Sequence, residues 1–491
     1  MRRVNSDCES SQSRESENRN TEAQGLRIGA TFSESCIDEH QSVDSEAKES
    51  ALKKLFSNVF SRSEELVLNT SEPPQRFFVD SSAFSVIVGK NINTRGQMMS
   101  GIRASQRFDV MSKRLSTRLL EHTQETFPPD AQKGLRRFAM REAAELLRIN
   151  QNTFRHHVSN LEGFPAGLLE SGSRRSFSAQ EMVEAQRILL ETGRMKPEEH
   201  PHRQPGEACQ VLTVFNLKGG SAKTSTVTHI GQLLGLRGYR VLLVDLDSQG
   251  SLTNLFGVTP ELDPDMPTSY DLIRTESPLP ASEIIRKTNF PTVDLIPASM
   301  DIMEYEFEVA LSFRHGTTTF HSRIRDALEP ILDNYDIVIF DTPPQLNFTV
   351  ISALFASTGV VIPLNASMLD VMSLASFLGM ASNLMAVVES HAPEHGLNFV
   401  RVLITRYENT DGPQVQISSL LRTVLGDAVL PAEFLKSTAV GDAANTQQSI
   451  FEVEPRDVNR KTYERAIESV SRVTDEIEKE ILKAWGRTNG A

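Results

Sequence analysis

The sequence predicts an α/β protein. A doubly wound, mostly parallel sheet is preceded by a small helical winged helix-turn-helix domain and a disordered N-terminal extension. Three observations carry this expectation. Six short runs rich in Val, Ile and Leu recur between residues 211 and 405 without polar alternation, as strands buried on both faces do. Helical stretches fall between them, the order of elements in a doubly wound sheet. A glycine-rich turn, "NLKGGSAKTS" at 216–225, joins the first run to the first of these helices.

The chain has 491 residues, room for two or three domains, and a net charge of −13. That acidity argues against a protein that coats nucleic acid uniformly, but leaves room for a local basic face. Three cysteines, Cys8, Cys36 and Cys209, lie far apart with no C-x-x-C. This excludes a disulfide framework or metal cluster and fits a reducing cytosol. The first 20 residues lack the apolar core of a signal peptide. No apolar run is read as approaching the ~20 residues that span a bilayer. The expectation is a soluble cytoplasmic protein.

Residues 1–100 are Ser- and Glu-rich, with 6 Lys+Arg against 11 Asp+Glu in the first 50. Such a segment buries too little apolar surface to offset its ordering entropy. A short helix near 45–60 and a lone strand at "FFVDSSAFSVIVG" are its only structured candidates. The same composition fits a start assigned too early, with initiation at Met98, Met99 or Met111.

Residues 101–194 are expected to form the winged helix-turn-helix domain. Positions 101–190 hold 14 Lys+Arg against 10 Asp+Glu, a basic excess within an acidic chain. "LRRFAMREAAELLRINQNTFRHHVSNL" reads as two short helices and a tight turn. Ala143, Leu146 and Leu147 give the first an apolar face, Ile149 plugs the turn, and Phe154 and Val158 face inward from the second. That helix would expose Gln151, Asn152, Arg155 and His156, side chains able to reach base edges and phosphates. "SRRSFSAQEMVEAQRILL" adds a basic tip, Arg174 and Arg175, and a Ser-capped helix. A small helical domain with a solvated charged face is the plainer alternative. Residues 195–210 hold three prolines and read as a linker, with His200 and His202 solvated and not metallated.

From 211 to 491 the strands are "VLTVF", "YRVLLVD", "VDLIP", "YDIVIFD", "GVVIPL" and "FVRVLIT". Helices are expected at about 223–237, 319–333, 347–357, 369–389, 415–425 and 461–483. The last shows one apolar stripe, Ile467, Val470, Val473, Ile477 and Ile481, that should pack on the body.

The turn at 216–225 aims backbone N–H groups and a helix N-terminus at an anion. The ordinary phosphate loop reads G-x-x-x-x-G-K-[ST]. Here Leu217 and Ala222 stand where its glycines belong, and Lys218, Gly219, Gly220 and Ser221 form a different path. Gly219 and Gly220 permit the tight turn. Lys223 would hold β- and γ-phosphate oxygens, Thr224 would place its hydroxyl on Mg²⁺, and Ser225 would reach the α-phosphate. Two strands end in acid, at Asp245 and Asp247 in "VLLVDLDSQGS" and at Asp341 in "YDIVIFDTPPQ". An aspartate after four apolar residues holds Mg²⁺ through its water shell in many nucleotide enzymes. A lone strand-terminal aspartate is more often a cap, but three such ends in this order converge on one ligand edge. Spacing alone does not rank Asp245 against Asp247.

K-G-G-x-x-K-[ST], D-x-D-x-Q and hhhhDTPP together resemble the deviant Walker A ATPases of the ParA/MinD group, P-loop ATPases of the SIMIBI type. The resemblance covers most of 211–455. With a DNA-binding domain in front, the chain is similar to the longer, self-regulating ParA proteins of plasmids. "TFPPDAQKGLRRF", "FRHHVSNL", "SMLDVMSL" and "LITRYENTDGPQ" look closer still to the RepA partition proteins of repABC plasmids. The resemblance implies that Lys218 is an added signature lysine that reaches a partner's phosphates across an ATP sandwich dimer. It assigns Asp247 to orienting the attacking water, Asp341 to the Mg²⁺ shell and Asp245 to supporting the metal or switch loop. Ala222 departs from the commoner K-G-G-x-G-K-T. An alanine there costs on the order of 1 kcal/mol if φ is positive, and nothing in a first helical turn; the latter is expected. Ser248 replaces a usual proline and should loosen the loop after Asp247.

The resemblance implies a plasmid-segregation ATPase that binds ATP, ADP and Mg²⁺ and hydrolyses ATP at a weak basal rate. It would dimerise on ATP and coat nucleoid DNA non-specifically. A ParB- or RepB-like centromere-binding protein would stimulate it, and it would repress its own operon at a specific operator. The alternative is a nucleotide-responsive repressor with little or no turnover. Electron transfer of the nitrogenase iron protein kind would need cluster cysteines after the nucleotide loops, and none lies beyond Cys209. Membrane attachment is not expected, because the C-terminal helix lacks a basic amphipathic face.

Overall fold

The computed structural model describes residues 104–126, 133–169, 174–196, 199–263, 265–313, 320–391 and 396–487. The extension, short helix and lone strand expected within residues 1–100 lie outside these. A 23-residue helix, Ala104–Thr126, comes first and has no counterpart among the sequence-based expectations.

Strand β1 (Phe138–Ala139), helices Met140–Leu146 and Gln151–Asn160, strands β2 (Leu168–Leu169) and β3 (Arg175–Phe177), and helix Ala179–Glu191 form the N-terminal body. The strands make an antiparallel sheet of order β1-β3-β2. Between the two short helices the chain reverses at Arg148, whose φ is +56°. Asn150 caps the second helix, its side chain accepting from the Asn152 N–H at 2.9 Å. Ser178 and Glu181 close a capping box on helix Ala179–Glu191. Ala143, Leu147 and Phe154 are buried as the pattern required. Phe154 also meets Phe164 and Phe177 edge-on at 5.7 and 5.1 Å, an aromatic centre that periodicity does not reveal.

The second sheet has seven strands. β4 (Gln210–Val214), β5 (Val241–Asp245), β7 (Val293–Ile296), β8 (Ile337–Asp341), β9 (Gly359–Asn365) and β10 (Phe399–Thr405) are the six expected runs, all parallel. A short antiparallel strand, β6 (Arg286–Lys287), adds an unexpected edge. The order is β10-β9-β4-β8-β5-β7-β6, so the strand before the glycine-rich turn lies inside the sheet. The helix after that turn, Lys223–Leu236, packs against the sheet at Leu243. Gly231 allows this, because a Cβ there would come within 2.6 Å of Leu243 Cδ2. The last helix, Arg460–Ala484, buries Val470, Val473, Ile477 and Ile481.

Three expectations need correction. Segment 195–210 is not a free linker. Met195 and His200 are buried, and the Arg203 backbone N–H donates to Asp336 at 3.0 Å. His200 and His202 are not solvated either. Their rings stack edge-on at 4.3 Å, and burial pushes the His200 pKa down to about 4. Finally, helix Met368–His391 contains 19 residues, Met368–Ala386, long and apolar enough to cross a membrane by length and composition. Asp370 sits inside that stretch, and Leu374, Phe377 and Leu384 are buried in the body. Length and composition alone do not make this helix a membrane span.

The N-terminal body and the larger sheet share one hydrophobic core. Polar contacts close the junction. Arg136 donates to the Tyr463 hydroxyl at 3.0 Å, Lys133 pairs with Glu452 at 2.7 Å, and Gln186 donates to the Arg237 carbonyl at 2.7 Å. Glu478 on the last helix accepts from Arg148 at 2.5 Å, Arg237 at 2.6 Å and the Tyr239 hydroxyl at 2.7 Å.

Candidate functional site

The site lies at the carboxyl edge of the large sheet, where open α/β sheets take their ligands. β4 runs into loop 215–222, and the helix N-terminus follows at Lys223. In register, Asp341 at the end of β8 pairs with Val214 on one side and with Asp245 on the other. The parallel sheet thus brings the loop and both strand-terminal acids to one edge.

The loop folds back on itself. The Asn216 side chain donates to the Pro363 carbonyl at 2.6 Å and accepts from the Lys218 N–H at 3.0 Å. The Lys223 ammonium, buried, donates to the carbonyls of Asn216 at 3.1 Å and Lys218 at 3.3 Å. Burial pulls its pKa down, while Asp341 and Asp247 pull it up. Gly220 takes φ +75°, and its neighbour but one is left-handed too: Ala222 sits at φ +70°, ψ +31°. This overturns the expectation of an unstrained alanine. Ala222 is the residue before the helix, not part of its first turn, and carries the left-handed cost of about 1 kcal/mol.

Asp245 and Asp341 are fully buried. Asp245 is satisfied, accepting from the Thr253 N–H at 2.9 Å, the Thr253 hydroxyl at 2.8 Å and the Asp247 N–H at 3.1 Å. These bonds offset part of the burial that pushes its carboxyl up. It therefore supports the loop through Thr253. Asp341 is different, since among the described residues neither carboxylate oxygen has a partner at hydrogen-bonding distance and angle. Burial, then the neighbouring Asp245, push its carboxyl well up. The Thr224 hydroxyl and the Lys223 charge pull it part of the way back down. An orphaned buried carboxylate beside a threonine hydroxyl and a lysine is a donor set that fits a hard divalent cation carrying phosphate oxygens. Thr224 and Asp341 could hold Mg²⁺ there, and Lys223 with the loop amides could hold phosphate. Asp247 is half-buried at the rim. Its carboxylate accepts from the Gln249 N–H at 3.1 Å and its carbonyl from the Gly250 N–H at 2.9 Å, a turn that closes without proline at Ser248.

Lys218 does not point freely outward in the single chain. Its ammonium is ion-paired with Asp370, a buried carboxylate at the start of helix Met368–His391. Among the described residues, one Asp370 oxygen has no hydrogen-bond partner. Exposed Met368, Leu369 and Met372 flank it. Sequence reasoning misses Asp370, Asn216 and Thr253 as site residues. Asp370 stands in "SMLDVMSL", but a partner 152 residues away along the chain leaves no local signal.

In the N-terminal body, Gln151, Asn152, Arg155 and His156 are all exposed on helix Gln151–Asn160, and Asn152 accepts from Arg155 at 3.1 Å. Arg174 is exposed. Arg175 is only half-exposed, and its guanidinium ties β3 to the segment before β2 by donating to the Ala166 carbonyl at 2.5 Å.

Known proteins share this arrangement to different extents. A profile described as an AAA domain matches residues 209–391. The candidate replication protein A of Rhizobium rhizogenes is 42% identical over 379 residues, covering 76% of this chain and 93% of that protein. The chromosome partitioning protein ParA of Caulobacter vibrioides is 28% identical over 269 residues, covering 54% of this chain and 96% of its own. Among solved structures, a partition protein aligns over 78% of this chain and all of its own with a TM-score of 0.53 at 18% identity, a likeness of fold.

The orphaned carboxylate makes a stability prediction. Asp341 has a folded pKa above the unfolded value of about 3.9, so it favours the fold only in acid and opposes it once pH rises and charge is forced on it. Asp341→Asn should therefore raise the melting midpoint of nucleotide-free protein at pH 7. It should also cancel the extra stabilisation that Mg²⁺ adds to an ATP analogue. Thermal melts with and without Mg²⁺ and ATPγS check both, and a lowered nucleotide-free midpoint would contradict the assignment.

Proposed function

Because this chain belongs to the ParA-type plasmid partition ATPases, in the RepA branch, we propose that it segregates a plasmid through cycles of ATP binding, dimerisation and hydrolysis. The observation that carries this reading is the orphaned Asp341 carboxylate beside Thr224 and Lys223. In the proposal, Gly219, Gly220, Ser221, Ala222, Lys223, Thr224 and Ser225 bind the phosphates of ATP or ADP. Thr224 and Asp341 hold Mg²⁺, which when bound neutralises charge on the phosphate oxygens. Asp245 keeps the loop after β5 in place through Thr253. Asp247, at the rim, orients the attacking water.

Lys218 acts in trans. It reaches the phosphates held by a second copy of the chain, as an arginine finger would. To do so it must leave Asp370. Stranding a buried carboxylate is costly, so a single chain favours the internal pair and only the phosphates of a partner compete with it. Lys218→Ala should leave ATP binding largely intact and abolish the ATP-dependent dimer. Light scattering with Mg²⁺ and ATPγS measures this, and a Lys218→Ala protein that still dimerises would exclude the sandwich.

DNA and a ParB- or RepB-like centromere-binding protein are the proposed partners. The ATP-bound dimer holds nucleoid DNA non-specifically, and the centromere-binding protein stimulates turnover. The N-terminal body reads the protein's own operator, with Gln151, Asn152, Arg155 and His156 at the bases and Arg174 at phosphate. Arg175 contributes more as a brace than as a contact. The core that this body shares with the ATPase portion favours a second reading, in which nucleotide tunes repression and turnover is incidental. The shared core also makes a truncation near residue 205 a poor test, so the reader is tested in the full chain. Gln151→Ala and Asn152→Ala should each erode discrimination between operator and scrambled DNA, by about 1–3 kcal/mol where the side chain makes a bidentate pair of hydrogen bonds to a base. Arg174→Ala should weaken both DNAs alike and lower the salt slope by about one. Fluorescence anisotropy across a salt series separates the two. Undiminished operator preference in the Gln151/Asn152 double variant would remove this helix as the reader.

A further inference from the structure

The end of β10 meets the phosphate loop from outside, at two successive carbonyls. Buried Thr405 donates its hydroxyl to the Ser221 carbonyl at 3.0 Å. The next residue, Arg406, donates from Nη1 to the Gly220 carbonyl at 3.2 Å. A second acceptor, Asn365 Oδ1, lies 3.3 Å from the Thr405 hydroxyl, but one hydroxyl proton serves one acceptor and Ser221 is the nearer. Arg406 adopts φ +53°, a left-handed conformation that is costly for a side chain of its size. The neighbouring residue holds it there, since the Tyr407 N–H donates to the Phe434 carbonyl at 2.9 Å.

A trans peptide is planar, and its C=O and following N–H point in opposite directions. Fixing the Gly220 carbonyl toward Arg406 therefore aims the Ser221 N–H away from β10. Fixing the Ser221 carbonyl toward Thr405 does the same for the Ala222 N–H. β9 and β10 flank β4 on one side, and β8 with Asp341 flanks it on the other. Away from β10 is thus toward Lys223 and Asp341. Neither amide has a hydrogen-bond acceptor among the described residues. Two unpaired amides set side by side before a helix N-terminus form a nest for an anion.

We infer that Thr405 and Arg406 are positioning residues for phosphate binding: from the end of β10 they turn two loop peptides so that the Ser221 and Ala222 amides face the phosphates. The inference rests on the nucleotide-site reading and deepens it. It also gives the left-handed Ala222 a purpose, since that conformation completes the turn between the pinned peptide and the helix. Neither side chain touches the reacting atoms, so both should act on affinity and leave the chemical step alone.

The test uses the full chain, with Thr405→Val, which keeps volume and loses the donor, Thr405→Ser, which keeps the donor, and Arg406→Ala. Arg406 is exposed, so its variant keeps the fold even where Thr405→Val loosens it. Isothermal titration with Mg²⁺·ATPγS and Mg²⁺·ADP should show Thr405→Val and Arg406→Ala weakened about two- to tenfold for both nucleotides, the worth of one ordinary hydrogen bond. Thr405→Ser should bind as the parent does. KM for ATP should rise by the same factor at unchanged kcat. Parental affinity in both Thr405→Val and Arg406→Ala would overturn the positioning role while leaving the nucleotide site standing. A parent protein that binds neither nucleotide would overturn the site reading and this inference with it.

Discussion

The constraint on which the site depends is charge held without water. Lys223, Asp245 and Asp341 are buried at one sheet edge, where an unpaired charge costs far more than at the surface. Each is handled differently. Asp245 is consumed by hydrogen bonds from Thr253 and Asp247, and so becomes structural. Lys223 leans on two loop carbonyls that a phosphate would outcompete. Among the described residues, Asp341 has no partner at hydrogen-bonding geometry on either oxygen. A fold that keeps such a carboxylate gives up stability for a function that fills the gap, and the parallel register of β4, β5 and β8 leaves the acid no alternative location.

Buried charge also links the site to the N-terminal body. The helix that begins with Lys223 ends at Leu236, and Arg237 just beyond it shares Glu478 with Arg148. Arg148 stands in the turn that sets helix Gln151–Asn160. One buried carboxylate on the last helix thus fastens the far end of the loop helix to the turn before the proposed reading helix. Removing either arginine leaves Glu478 partly uncompensated, a strongly unfavourable state, so the two parts are held in one relative arrangement.

Much of this is legible in the sequence, and the remainder is not for identifiable reasons. The six parallel strands declare themselves as unbroken apolar runs because burial on both faces leaves no room for alternation. Lys223, Thr224, Asp245 and Asp341 are legible because each sits at a strand end or helix start, positions that local pattern marks. β6 is two residues long and has no pattern to show. The left-handed Ala222 defies its own propensity, since loop closure over β4 sets its φ. The buried His200 and the Lys218–Asp370 pair depend on segments distant in sequence, which periodicity cannot report. Thr405 and Arg406 stand in "LITRYENTDGPQ", a stretch that carries the family resemblance, but their role lies in which carbonyls they hold.

The central claim is that these residues make a working ATPase whose turnover is governed by its partners. The most direct measurement is ATP hydrolysis by the full chain, with and without Mg²⁺, DNA and the cognate centromere-binding protein. The account predicts slow, Mg²⁺-dependent turnover that rises when DNA and the centromere-binding protein are both present. Absence of hydrolysis under every condition, with ATP still bound, would contradict it and leave a nucleotide-responsive repressor in its place.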